Sequence, residues 1–143
     1  MAEQIFQIAA KALIRNDQGE IFLLHIPQWG HNPAHWDLPG GRMDPGETFV
    51  ETLQRELIEE IGVPYIGEPR QIMGMLTNIT IPVGKELLPL VFMIYEVSVE
   101  DVRSIKLSSD TREDDTGWFS PQEAAKLMSI KFSPEFCALV SKM

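Results

Sequence analysis

The chain predicts an α+β fold, or an α/β sandwich around a mixed sheet, and three observations carry that reading. Strand-length apolar runs and helix-patterned segments are interleaved along the sequence. One helix carries explicit start and stop signals at its two ends. The 143 residues, 44% of them hydrophobic, are enough for one domain with a proper core, taken as residues 1–143.

The elements follow in order. Residues 6–15, rich in Ile, Ala and Leu, read as a buried strand. Asn16-Asp17-Gln18-Gly19 is a turn cluster, and residues 20–26 form a second apolar strand that would pair with the first as a hairpin. Pro27 ends it, and 27–35 is an irregular loop. Trp36-Asp37-Leu38 is a short extended piece stopped by Pro39-Gly40-Gly41. Thr48 and Glu51 then fit a capping box. Val50, Leu53, Leu57 and Ile61 give the helix an apolar face, Gly62 stops it and Pro64 prevents its resumption.

Strand-like runs at 71–81 and 88–99 follow, joined by Pro82-Val83-Gly84-Lys85, with further short strands expected at 104–107 and 117–120. Ser120-Pro121 and Ser133-Pro134 each place a cap before a proline at the first helical position, opening two final helices.

Charge and cysteine content exclude several functions. Twenty-one Asp and Glu against twelve Lys and Arg leave a net charge of −9, which opposes binding to a nucleic-acid backbone. A lone Cys137 rules out a disulfide framework. No apolar run approaches the ~20 residues of a membrane span, and residues 1–7 lack the pattern of a secretion signal. A reducing, cytoplasmic setting is the expectation.

The acids of the capped helix stand out. Glu56 and Glu60 lie one turn apart, with Glu59 beside them, so the three build a carboxylate ridge next to the apolar face. Like charges at this spacing, near a helix C-terminus whose dipole favours cations, weaken the helix. Hard divalent cations take oxygen ligands and would offset the repulsion. The alternative is a solvated acidic face paired with Arg55.

Gly41, Glu47, Arg55, Glu56, Glu59, Glu60 and Gly62, with aliphatic Leu57 and Val63, match G-x5-E-x7-R-E-U-x-E-E-x-G-U, where U is a bulky aliphatic. This resembles the Nudix box of the Nudix hydrolases. Residues 12–16, 21–24 and 36–40 are similar to MutT-type members. The resemblance implies an α/β/α sandwich and hydrolysis of a nucleoside diphosphate linked to another group, X, with Mg²⁺ or Mn²⁺. It makes Glu56, Glu59, Glu60 and the Gly40 carbonyl metal ligands, and Glu47 with Arg55 an orienting pair. Glu56 is the first choice of general base, with Glu113 of the acidic run 110–115 as a distal catalytic acid.

Substrate contacts are expected from Trp36, Arg15, His25 and Phe136, with Trp29 and Phe132 as further stacking candidates. The favoured reaction converts a nucleoside triphosphate to the monophosphate and pyrophosphate. The alternatives are an ADP-ribose or nucleotide-sugar pyrophosphatase, and a nucleotide-sensing domain without turnover. The partner would be a small nucleotide, with neither nucleic acid nor membrane, and the protein a monomer or homodimer.

Overall fold

The computed structural model describes residues 3–143, so the first two residues of the 1–143 domain lie outside it. Seven strands form two sheets: β1 (Gln7–Ile14), β2 (Ile21–Ile26), β3 (His35–Asp37), β4 (Gly40–Arg42), β5 (Ile66–Val83), β6 (Glu86–Ser98) and β7 (Asp115–Phe119). Three helices accompany them: α1 (Phe49–Ile61), α2 (Pro121–Leu127) and α3 (Pro134–Ser141). A mixed four-stranded sheet runs β4-β1-β6-β5, with β1 parallel to β6 and the other pairs antiparallel. An antiparallel three-stranded sheet runs β3-β2-β7.

Two apolar clusters make this an α/β/α arrangement. Because neighbouring side chains on a strand point to opposite faces, β1 sends Ala9 and Leu13 to one side and Ala10, Ala12 and Ile14 to the other. The first side packs on α2 and α3 through Ala124, Met128, Phe136 and Val140. The second packs on α1 through Leu53, Leu57 and Ile61. Both faces of β1 and β2 are buried, so these strands read as continuous apolar runs.

Helix α1 forms as its sequence requires. The Thr48 and Glu51 side chains cap each other's backbone N–H groups, and Gly62 takes a left-handed conformation with φ of 74°. Its apolar face is narrower than expected, for Val50 is 38% exposed while Leu53, Leu57 and Ile61 are fully buried.

Three expectations are corrected. β1 and β2 are not a hairpin: beyond the bridge from Arg15 to Ile21 they enter different sheets, since β1 takes β4 and β6 as neighbours and β2 takes β3 and β7. The extended piece does stop before Pro39, but Gly40 and Gly41 then pair with Lys11 and Ala10 as the separate strand β4; a Cβ on Gly40 would lie 2.1 Å from the Ala10 carbonyl oxygen. Residues 104–107 are not a strand. Val102–Ser104 is a 3₁₀ turn, and the Lys106 and Ser108 N–H groups donate to the otherwise unpaired Ile61 and Glu60 carbonyls at the end of α1.

Leu57→Ala should lower stability by roughly 3 kcal/mol, the range for a fully buried leucine truncated without collapse of the site. Urea unfolding followed by circular dichroism measures it, and a loss below 1 kcal/mol would mean that α1 is not wedged as described.

Candidate functional site

The site begins where the loop between β4 and α1 folds back onto the helix. Glu47, just before the Thr48 cap, accepts two hydrogen bonds from Arg55, at 2.7 Å from Nε and 2.9 Å from Nη2. It also accepts from the Asp44 N–H and the Thr52 hydroxyl. These bonds, led by that from Arg55, bring the Glu47 carboxyl down to about 2. The guanidinium further donates from Nη1 to Glu56 at 2.9 Å and Glu59 at 3.2 Å, and from Nη2 to the Arg42 carbonyl at 3.0 Å. Glu47 and Arg55 do meet across eight residues of sequence.

The three helical acids sit in different surroundings. Glu59 is exposed. Glu56 lies at the cavity wall, where burial raises its pKa against the opposing pull of Arg55. Its carboxylate fills the space above Gly41, where a Cβ would come within 2.3 Å of it. Glu60 is buried and accepts the Gly40 N–H at 2.9 Å. Burial above all pushes its pKa up to about 9; Lys11 opposes the rise, and the neighbouring Glu113 adds to it. The acidic loop thus reaches the helix. Asp114 anchors it, donating its N–H to the His25 carbonyl at 3.1 Å and meeting His25 Nδ1 at 2.7 Å.

Among the described residues, no three acid, imidazole or thiol groups converge into a ready metal cage. Arg55 holds Glu56 and Glu59, while Glu60 turns to the Gly40 N–H. The donor chemistry nevertheless fits a hard cation. All side-chain groups are carboxylates, and Glu60 and Glu113 stand close enough to repel each other, a repulsion that a divalent ion would offset.

From these acids a cavity of about 580 Å³ extends across the mixed sheet, within the size range of small-molecule sites. Its lining includes Glu56, Glu113 and the 41–44 loop, together with Trp29, Ile81, Leu90 and Phe92. The Arg112 guanidinium stacks over Trp29, 4.0 Å from the ring centroid.

At the centre is a buried triad that sequence reasoning missed. Asp37 Oδ2 accepts from Lys11 Nζ at 3.1 Å and from Lys131 Nζ at 2.5 Å. Burial would raise the Asp37 pKa, but the two ammonium groups hold it down at about 2. Burial works against the charge of Lys11 too, yet Asp37 keeps that group above its ordinary value; at Lys131 burial dominates and the pKa falls. One signal was available. Lys11 interrupts an otherwise apolar strand, and a charge there must find a partner.

Of the expected substrate contacts, the structure brings Trp29 alone to the cavity. Trp36 faces away from its neighbour Asp37 and packs edge-on against His25 and Phe119, with centroids 4.9 and 5.0 Å distant. His25 is taken up by that contact and by Asp114. Arg15, at the far end of β1, pairs with Glu96 and lines a separate surface cleft. Phe136 and Phe132 are fully buried in the core.

Asp37→Asn should cost on the order of 3 kcal/mol at pH 7, since it leaves two buried ammonium groups without a counter-charge. The depressed pKa means that the contribution of Asp37 is complete above its unfolded value of 3.8 and drains away as pH falls toward about 2. Urea midpoints of the two proteins should therefore converge below pH 4; a constant gap would refute the ionic origin.

The comparisons agree with the geometry. A NUDIX domain model matches residues 5–139. The chain is 41% identical over 63 residues to an 8-oxo-dGTP diphosphatase of Haemophilus influenzae, covering 44% of this chain and 46% of that protein. It is 28% identical over 115 residues to the nucleoside triphosphatase NudI of Escherichia coli, covering 78% and 79%. The chain thus spans less than half the length of the first of these relatives. A MutT protein structure from Methanosarcina mazei superposes with a TM-score of 0.66 at 25% identity, over 99% of this chain and 95% of that one. No helix among the described residues is long and apolar enough to cross a membrane. With its box assembled around Arg55 and residues 5–139 matched by the NUDIX domain model, the chain belongs to the Nudix hydrolase family.

Proposed function

We propose that the protein hydrolyses a pyrophosphate bond in a small nucleotide with Mg²⁺ or Mn²⁺, converting a nucleoside triphosphate to the monophosphate and pyrophosphate. One observation carries this reading: a single cavity is lined both by carboxylates, suited to a cation and phosphates, and by apolar and aromatic side chains suited to a base. The shared partner is a small molecule rather than a polymer, in keeping with the net charge of −9. A lone, half-buried Cys137 fits a cytoplasmic setting.

The roles follow from the surroundings. Glu56, Glu59 and Glu60, with the Gly40 carbonyl, would hold a divalent ion, which would supply charge neutralisation at the phosphates and make the attacking water more acidic. Glu56 accepts the proton of the attacking water; burial raises its basicity and Gly41 leaves room for its carboxylate. Arg55 and Glu47 are positioning residues, fixing the loop and aiming Glu56. Glu113 brings a further carboxylate beside Glu60. Trp29, Leu90 and Phe92 replace Trp36, Arg15, His25 and Phe136 as the groups that receive the base.

Glu56→Gln should keep the fold and lower turnover of nucleoside triphosphates by about 10²–10⁴-fold; near-normal turnover would overturn its assignment. Chromatography of the products should give monophosphate and pyrophosphate in equal amounts, and stepwise release of inorganic phosphate would refute the bond assigned. Gly41→Ala puts its Cβ within 2.3 Å of the flexible Glu56 carboxyl. It should therefore leave thermal unfolding nearly unmoved while reducing turnover about tenfold or more.

A further inference from the structure

We propose, resting on the nucleotide reading above, that Lys11, Asp37 and Lys131 select nucleobases that present a carbonyl oxygen over those that present an amino group. Two ammonium groups against one carboxylate leave a formal charge of +1 in the cavity wall, on side chains that are 8% exposed for each lysine and 2% for Asp37. Glu60 and Glu113 act on Lys11, and Glu113 on Lys131, but the direct ion pair of each lysine is with Asp37, so further donors stay open to an incoming partner.

The hydrogen-bond inventory gives the partner's chemistry. An ammonium has three donors and no acceptor. Lys11 spends two of them, on Asp37 and on the Leu38 carbonyl at 3.2 Å. Lys131 spends one, on Asp37. Asp37 in turn is occupied at both oxygens: Oδ2 by the two lysines and Oδ1 by the Leu38 N–H at 2.8 Å. What faces the cavity is therefore a surplus of donors, and an incoming acceptor satisfies them. An incoming amino group would set donor against donor in a poorly hydrated pocket.

Position favours a base over a phosphate. Both ammonium groups stand above the ring of Phe92, 5.0 and 5.6 Å from its centroid, and Leu90 and Ile81 line the same wall. Such a wall suits a flat, partly apolar ring. Glu56 and Glu113, which suit a cation and its phosphates, line the same cavity.

The test compares matched pairs that differ at one carbonyl or amino position, UTP with CTP and ITP with ATP, by kcat/KM in Mg²⁺. The carbonyl member of each pair should be favoured by roughly 10²-fold or more, as expected where buried donors go unpaired. Equal rates, or preference for the amino member, would overturn the proposal. Lys131→Met should bring the ratio toward one, and Lys131→Gln, which adds an acceptor, should move it toward the amino bases. A folded variant whose ratio is unchanged, or which loses all substrates in equal proportion, would assign the lysines to phosphate instead and overturn the reading. If no nucleotide is cleaved, the hydrolytic reading fails separately. Affinities for the α,β-methylene analogues of UTP and CTP, measured calorimetrically, then decide base choice without turnover, and equal affinities refute it.

Discussion

The guanidinium of Arg55 is the interaction on which the site depends. It is planar and permanently charged, with five donors in a fixed fork. Here those donors reach Glu47, Glu56, Glu59 and the Arg42 carbonyl, and Asp44 lies 3.4 Å away. Four carboxylates at such proximity would repel one another and leave the loop before α1 without reason to fold back. With Arg55 among them, loop and helix become one rigid piece, and Glu56 is aimed over Gly41. A lysine could neutralise some of this charge but could not hold several directions at once.

The same balance recurs with opposite sign a short way along the cavity. Around Arg55 acids outnumber cations; in the buried triad, Lys11 and Lys131 outnumber Asp37. Lys11 links the two, since its charge is felt by Glu60 as well as by Asp37. Each cluster is costly when taken alone. Their juxtaposition in a protein that otherwise caps its helices and fills its core well is the kind of local conflict that marks a working site.

Local chemistry was legible wherever neighbours in sequence satisfy one another. The ends of α1 and the serine caps with prolines before α2 and α3 formed as written, while the turn joining β5 to β6 tightened to Gly84-Lys85, with Pro82 and Val83 paired in β5. The acidic ridge was also legible from helical periodicity, and the meeting of Glu47 with Arg55 was implied by the resemblance to the Nudix box, with the cap position placing Glu47 just outside the helix. Pairing across the sheets was not. An apolar run such as β1 or β2 is buried on both faces and does not say which strand lies beside it, so the turn at 16–19 suggested a hairpin that tertiary packing divides between two sheets. Residues 104–107 are strand-like in composition, yet the Ser104 and Ile105 N–H groups close a 3₁₀ turn and that of Lys106 goes to the end of α1.

The sequence by itself determined the family, the caps and the spacing of the acids on α1, for these depend on residues within a few turns of one another. Only the tertiary structure decided which side chains face the cavity. Lys11, Asp37 and Lys131 come from β1, β3 and the segment before α3, and nothing local requires them to meet. Phe136 and Trp36 illustrate the converse. An aromatic ring suits a core and a base equally well, and burial on folding assigned the first to the interior and the second to its contacts with His25 and Phe119.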